Sequence, residues 1–96
     1  MNHEALGQMV REARLARGMT QRQLAELAGL HQNQVNGIEN AHLPKYYPKL
    51  LNAIVDALDL DRDEVFALAG RITPDIEAEL AGNVHALKRV RKELAL

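Results

Sequence analysis

The chain contains no cysteine, no serine and no tryptophan, and only three of its 96 residues are aromatic. The absence of cysteine excludes a disulfide framework and fits a reducing compartment, so we expect a cytoplasmic protein. No apolar run approaches the roughly 18 residues needed to cross a bilayer. Residues 1–4 also lack the basic-then-apolar layout of a signal peptide. These absences predict a protein that does not enter a membrane.

The same absences leave few groups for catalysis or metal binding. Thr20 and Thr73 are the only neutral aliphatic nucleophiles, and both are better placed to cap helices. The four histidines show no metal-ligand spacing, and there is no cysteine to join them. The acidic residues between positions 56 and 64 lack the pattern of a calcium loop. The sequence therefore predicts a protein that is not an enzyme and that needs no metal and no cofactor.

The residues that are present favour helices. Hydrophobic residues make up 47% of the chain, and most are leucine and alanine, which have high helix propensity. Apolar residues recur at three- and four-residue spacing, and caps, prolines and glycines divide them into short segments. An all-α domain of five helices over residues 1–70 is therefore expected. The predicted helices are about Glu4–Arg17, Gln21–Ala28, Gln32–Glu39, a fourth that starts at Pro48 and a fifth between Asp61 and Gly70.

Residues 71–96 form a separate C-terminal arm in this interpretation. Thr73 and Pro74 open an amphipathic helix, which Gly82 and Asn83 bend or break. An apolar stripe on a helix needs a partner, because otherwise it lies in water. The arm either folds back onto the domain or pairs with a second copy, and we favour a homodimer. The predicted dimerisation residues are Ile76, Leu80, Val84, Leu87, Val90 and Leu94.

The overall charge gives little support for a nucleic-acid partner. The formal net charge is −1, with 12 Lys and Arg against 13 Asp and Glu, whereas most nucleic-acid binders are basic. However, four arginines lie in the first quarter of the chain, and acidic residues cluster between positions 56 and 64. A local basic face can therefore contact phosphates while the acidic cluster points away.

The segment from Thr20 to Asn40 carries the strongest functional signal. Two short helices joined at Gly29 and Leu30 must cross steeply, and the small Ala25 lets them approach each other. The outward face of the later of these two helices, residues 32–39, consists of amides and a glycine, without lysine or glutamate. Amides offer the paired donor and acceptor that match the edge of adenine in the major groove. We expect base contacts from the residues of this face, which are Gln32, Asn33, Gln34, Asn36 and Gly37.

This segment resembles the Cro/repressor-type helix-turn-helix family of transcriptional regulators, to which the lambdoid phage repressors belong. The resemblance covers roughly residues 6–69. It is carried by REAR at 11–14, GMTQ at 18–21, LA at 24–25, Gly29 and IEN at 38–40. It implies a lambda-repressor-like fold whose third helix, residues 32–39, lies in the major groove. Ala41 stands where relatives often have glycine, so a different turn of the following loop is expected.

The resemblance also implies roles for single residues. Gln32 and Asn33 match the leading base-contact positions, and Gly37 matches a third position one turn later. Arg14 and Glu39 match an ion pair that links the first helix to the end of the third. Three polar residues match backbone-contact positions, and neighbouring cationic side chains and histidines extend this set. The expected contacts to the DNA backbone are Thr20, Gln21, Arg22, His31, Asn40, His42 and Lys45.

The sequence thus predicts a homodimeric, sequence-specific regulator that binds double-stranded DNA, and specifically a repressor that occludes a promoter. A dimer suits this function because two-fold dimers read half-sites about one helical turn apart. The alternative is a protein-interaction module, such as the antitoxin of a toxin–antitoxin pair, whose arm binds a partner protein. The near-neutral charge keeps this alternative open.

Overall fold

A computed structural model describes residues 1–94, without the side chains of Ala86, Leu87, Val90, Glu93 and Leu94. Every regular element in these residues is an α-helix, so the prediction of an all-α fold is confirmed. The helices are α1 (His3–Ala16), α2 (Gln21–Ala28), α3 (Gln32–Glu39), α4 (Pro48–Leu58), α5 (Arg62–Ala69), α6 (Pro74–Leu80) and α7 (Val84–Leu94). None of the helices within the described residues is long and apolar enough to span a membrane.

Helices α2 and α5 begin at the predicted side-chain caps, whereas the side chain of Thr73 does not cap α6. Thr20 Oγ accepts the N–H of Gln23 at 3.1 Å, and the Gln23 side chain accepts the N–H of Thr20 at 2.9 Å. This reciprocal capping box starts α2. Asp61 accepts the N–H of Glu64 at 2.9 Å at the start of α5, and Gly29 ends α2 with a φ of 70°. The predicted bounds of α2 and α3 therefore agree with the structure residue for residue.

Helices α1 to α5 enclose one apolar core. α1 packs against α3, α4 and α5, while α2 packs against α3 and α4. Burial of each large apolar side chain stabilises the fold by about 1.5–3 kcal/mol. Because the core draws on all five helices, α3 is held along its inner face by the rest of the domain. The side chains with less than 2% exposure are Leu6, Val10, Leu24, Val35, Ile38, Leu51, Ile54, Leu58, Val65 and Phe66.

The arm is two helices, because Gly82 takes a φ of 74° and separates α6 from α7. α6 contains no buried residue and packs against α7. Ile76 is 48% exposed and Val84 is 57% exposed, while Leu80 is half-buried. At the start of the arm Thr73 is buried, but the described apolar side chains of α6 and α7 are exposed or half-buried. The side chains of three predicted dimerisation residues, Leu87, Val90 and Leu94, lie outside the described residues.

Candidate nucleic-acid interface

Helices α2 and α3 form a compact unit joined by a three-residue turn. Gly29 supplies the left-handed conformation, and the N–H of Leu30 donates to the carbonyl of Ala25 at 2.9 Å. Ala25 is only 3% exposed, so its small side chain lies in the contact between the helices. Val35 and Ile38 fix the inner face of α3 in the core. The outer face of α3 is thereby presented on a rigid support.

The carboxylate of Glu39, at the end of α3, is fully buried and surrounded by donors. Arg14 of α1 contacts it twice, from Nε to Oε2 at 2.7 Å and from Nη2 to Oε1 at 3.0 Å. Arg11, three residues earlier, donates from Nε to Oε1 at 3.3 Å. Gln21 of α2 donates from Nε2 to the same oxygen at 3.3 Å. The expected partners Arg14 and Glu39 are thus in direct contact, and α1, α2 and α3 meet at this carboxylate.

Together, these hydrogen-bond donors affect the pKa of Glu39 more strongly than burial does. Burial raises the pKa of Glu39, but hydrogen bonds from Arg14, Gln21 and Arg11 and the charge of Arg14 hold that pKa below its usual value. The hydrogen bond to Glu39 in turn raises the pKa of Arg14. Arg14 also donates from Nη1 to the carbonyl of Met19 at 2.7 Å. Since losing one partner would leave a buried charge unpaired, the cluster fixes α3 against α1.

A second set of amide contacts extends from this cluster toward the outer face of α3. Gln21 Nε2 lies 3.4 Å from Asn36 Oδ1. Asn40 Nδ2 donates to the carbonyl and to Oδ1 of Asn36, both at 2.9 Å. Arg11 Nη2 donates to Asn40 Oδ1 at 3.2 Å. The side-chain oxygen of the exposed Asn36 is therefore occupied, and only its amide N–H groups remain for a ligand.

The first turn of α3 carries two side-chain amides without a hydrogen-bond partner in the described residues, those of Gln32 and Asn33. Both residues are exposed, and within the described part of the chain neither side chain forms a hydrogen bond. Gln34 behaves differently, because it is half-buried and its Oε1 accepts the N–H of His31 at 2.9 Å. Gln34 thus caps the start of α3, whereas Gln32 and Asn33 are free to bind.

Gly37 does not lie on the outward face, so this part of the prediction is wrong. The residue is buried, and a Cβ placed on it would lie 2.5 Å from Leu43 Cδ2 and 2.9 Å from Leu43 Cγ. The N–H of His42 donates to the Gly37 carbonyl at 2.8 Å, which brings the following loop over this position. The glycine therefore makes room for Leu43 of the following loop.

The cationic candidates for backbone contact flank the two helices. Arg22, in the first turn of α2, is 79% exposed and forms a surface ion pair with Glu26 at 3.4 Å. Such an exposed ion pair contributes little to the stability of the fold, and it leaves the guanidinium of Arg22 accessible. His31 is exposed at the start of α3, and His42 and Lys45 are exposed in the loop that follows α3. These four side chains are thus exposed before α3, at its start and after its end in the chain.

The loop over residues 40–47 is held by contacts from both ends of the domain. Ala41 adopts a φ of 56°, the left-handed conformation that would be expected of the family's glycine. Tyr46 is 3% exposed, and its ring centroid lies 4.0 Å from that of His3 in α1. Arg71, at the junction with the arm, donates from Nε to the Tyr46 carbonyl at 3.0 Å. The loop beside α3 is therefore anchored both to α1 and to the start of the arm.

Sequence reasoning assigned no site role to His3 or Arg71, and it counted Arg11 only among the arginines of a basic face that contacts phosphates. Arg11 carried a usable signal, because its spacing of three from Arg14 places both on one face of α1. His3 and Arg71 carried none, because they contact Tyr46, which is distant from both along the chain. Contacts of this kind become visible only when the helices are packed.

Helices α2 and α3 of this site lie within a segment that matches a known protein family. Residues 5–68 match the profile of a family described as a helix-turn-helix domain. The chain belongs to this family. The matched residues of the helix-turn-helix domain run from α1 into α5, so they include the Glu39 cluster and the outer face of α3. Because the helix-turn-helix regulator family is a non-enzymatic DNA-binding family, the expectation that the chain is not an enzyme is confirmed.

Solved structures resemble the helix-turn-helix domain together with its arm. The crystal structure of the clp gene regulator ClgR from Corynebacterium glutamicum is 27% identical, with a TM-score of 0.59, and the match covers 97% of this chain and 85% of that chain. A chain in a complex of SinR protein and SinI protein is 19% identical, with a TM-score of 0.59 and coverage of 94% and 91%. No curated protein sequence matches the chain. The lambda-repressor-like fold is thereby confirmed.

Proposed function

We propose that this protein is a sequence-specific transcriptional regulator that reads the major groove of double-stranded DNA with α3, as a homodimer, and that it acts as a repressor. The observation that carries this proposal is the pair of uncommitted, exposed amides of Gln32 and Asn33 on the first turn of α3. A surface amide that served only solubility would not need a helix fixed from behind by a buried ion pair. Preorganised amides on a rigid helix are suited to bind base edges.

Base reading is assigned to three side chains with different capacities. Gln32 and Asn33 each offer a donor and an acceptor, which suits a bidentate contact with adenine. Asn36 offers donors alone, because its oxygen accepts from Gln21 and Asn40. Asn36 is therefore suited to an acceptor on a base edge or to a phosphate oxygen.

Phosphate contacts in this proposal orient α3 in the groove without selecting sequence. These contacts come from charged and polar groups at the start of α2, at the start of α3 and in the loop after α3, all of them exposed except the half-buried Gln21. The cationic groups among them offset the net negative charge of the chain locally. The proposed backbone-contact residues are Thr20, Gln21, Arg22, His31, Asn40, His42 and Lys45.

The homodimer follows from the size of the reading surface. One recognition helix covers only a few base pairs, so a second copy adds both affinity and specificity. The exposed Ile76 and Val84 of the arm supply apolar surface for such pairing. Repression is the simplest regulatory outcome, because a dimer bound over a promoter excludes other proteins from it.

Selection of bound sequences from a random duplex library tests the proposal. The salt concentration should be about 0.1–0.15 M, because this damps non-specific phosphate binding. We expect enrichment of a palindrome with half-sites about 10 base pairs apart. If folded protein enriches no sequence, the proposal is overturned, and the protein-interaction alternative predicts that a second protein then co-purifies with the chain.

Replacement of Gln32 by Ala tests the assignment of α3. The affinity for the selected site should fall by about 1–3 kcal/mol, while the affinity for random DNA should change little. Gln8→Ala is the matched control, because Gln8 is an exposed amide on α1 whose side chain contacts Glu12 at 3.1 Å. An equal loss on both DNAs would contradict the assignment of Gln32 to base reading.

A further inference from the structure

The two helices of the arm carry opposite charges. α6 contains three acidic residues and no basic one, namely Asp75, Glu77 and Glu79. α7 contains one acidic residue, Glu93, and four basic residues, namely Lys88, Arg89, Arg91 and Lys92. Such segregation within one short arm provides two complementary surfaces.

Asp75 interacts with the charge of Arg62 in the domain, but six other charges of the arm have no partner within the described residues. The two glutamates of α6 and the four basic residues of α7 are all exposed. In the described residues none of these six forms an ion pair, although α6 and α7 pack against each other. The neighbouring acidic cluster has its own cation, since Arg62 pairs with Asp56 at 3.2 Å. The charges of the arm are thus available to a second molecule.

Helical spacing places some of these charges beside the apolar stripe of each helix. In α6, Glu77 and Glu79 fall on either side of the stripe of Ile76 and Leu80, at 100° per residue. By sequence spacing the stripe of α7 comprises Val84, Leu87, Val90 and Leu94, of which only the Val84 side chain lies within the described residues. Lys88 and Arg91 fall on either side of Val84, within about 40° of it, whereas Lys92 falls beside Lys88 and Arg89 falls on the opposite side of the helix. Charges that border an apolar seam select a partner, as they do in paired helices generally.

We infer that the arm pairs two copies of this chain through an exchange of charge, with the acidic α6 of one copy beside the basic α7 of the other. A two-fold axis makes this contact occur twice, because each copy supplies one acidic and one basic helix. The apolar stripes supply the binding energy, and the bordering charges set the orientation and exclude parallel pairing of like helices. The inference deepens the proposed homodimer and rests on it.

Charge reversal tests this arrangement. One variant carries Glu77→Lys and Glu79→Lys, and a second carries Lys88→Glu and Arg91→Glu. Each variant alone opposes like charges at both contacts, so its dimer dissociation constant should rise by at least about tenfold in sedimentation velocity without DNA. An equimolar mixture should restore the dimer, because each reversed helix then meets a complementary one.

Three further variants make the test decisive. The chain with all four reversals should dimerise alone, since its two helices have simply exchanged charge. Lys88→Glu and Arg89→Glu form a matched pair of single variants, because they make the same change of net charge beside the stripe and on the opposite side of α7. Only Lys88→Glu should weaken the dimer. Helical content and domain unfolding should remain those of the wild type in every variant, because no described side chain of α6 or α7 belongs to the core.

The other outcomes overturn the inference in distinguishable ways. A monomeric wild-type chain would overturn both the inference and the proposed homodimer, while base selection by α3 would still be tested by the duplex library. A wild-type dimer that survives the single reversals would overturn the exchange of charge alone. Loss of the dimer in both variants without recovery in the mixture would show that the charges act within one chain.

Discussion

The five-helix domain and the arm differ in how far each is complete on its own. In the domain, ten large side chains are nearly fully buried, and the charged Glu39 is surrounded by donors from two other helices. In the arm, α6 buries no residue, and the described charges of α6 and α7 form no ion pair with each other. Both regions are amphipathic helices in sequence, so the difference lies in what surrounds them.

This difference separates the two parts of the proposed function. The domain holds α3 in place with contacts entirely within the chain, so base reading requires no second molecule to shape it. The arm exposes Ile76 and Val84 in the single chain, so the proposed pairing with a second copy would cover apolar surface that the domain leaves exposed. The two regions are joined at Arg71, whose contact with Tyr46 links the arm to the loop beside α3.

The largest effect is expected when an apolar side chain is removed from the domain. Phe66→Ala should lower the free energy of unfolding by about 3–5 kcal/mol, because the ring is 1% exposed and its loss leaves a cavity. Ile76→Ala in the arm should change the free energy of unfolding by less than about 0.5 kcal/mol at protein concentrations where the chain is monomeric. Urea unfolding of both variants measures the contrast. Similar losses would show that the arm belongs to the domain's core.

The second effect concerns the buried charge. Glu39→Gln should lower the free energy of unfolding by about 3 kcal/mol, because the Arg14 guanidinium, only 11% exposed, loses its counter-charge. Asp56→Asn is the control, since it removes an exposed partner of Arg62 and should cost less than about 0.5 kcal/mol. Equal costs would mean that the Glu39 cluster does not fix α3.

The pH dependence of the unfolding free energy of the same variant tests whether the pKa of Glu39 is lowered in the folded protein. The pKa of Glu39 is lowered in the folded protein, so its contribution is complete above the unfolded value of about 4.5 and is lost as pH falls through the folded pKa. The difference between wild type and Glu39→Gln should therefore shrink below about pH 4.5. A constant difference down to pH 2 would contradict the lowered pKa.

Local signals explain why most of the fold could be predicted from the sequence. Thr20, Gly29 and Pro48 act through their own backbone and near neighbours, so they mark the ends of helices without knowledge of the tertiary structure. The contact between Arg14 and Glu39 was accessible only through the resemblance to a family. Gln34 also carried a local signal, because its spacing of three from His31 is that of a capping box.

The remaining features depend on packing between distant segments. Gly37 was placed on the outward face because its helix position suggested exposure, yet Leu43 covers it from the following loop. The ring contact between His3 and Tyr46 joins the start of α1 to the loop after α3 and follows no sequence periodicity. The partner of the arm could not be derived from one chain, since an amphipathic pattern fits a second copy and the chain's own domain equally.

A third effect concerns the closest approach between helices of the domain. A Cβ on Gly7 of α1 would lie 2.5 Å from the carbonyl oxygen of Ile38 and 2.6 Å from that of Glu39. Gly7→Ala must therefore displace the backbone at the end of α3 and should cost about 1–3 kcal/mol in unfolding free energy. Gln8→Ala, one residue away and exposed, should stay within about 0.5 kcal/mol.

DNA binding gives the Gly7 variant a second readout. If α1 positions α3, affinity for the selected site should fall further than the affinity for random DNA, because the amides of α3 are displaced from the bases. An unchanged preference between the two DNAs would show that the end of α3 can shift without moving its first turn.

The smallest effect is expected at Ala41, where the domain itself carries backbone strain. An alanine at φ 56° lies in the left-handed region that glycine adopts at little cost, so Ala41→Gly should raise the free energy of unfolding by about 0.5–1 kcal/mol. Asp59, at φ 52°, is the matched position, because aspartate tolerates this region better and Asp59→Gly should gain less. Thermal unfolding at one protein concentration ranks the two. A loss of stability in Ala41→Gly would show that the alanine side chain contributes more in packing than its backbone conformation costs, and the loop beside α3 would then be part of the domain's packed structure.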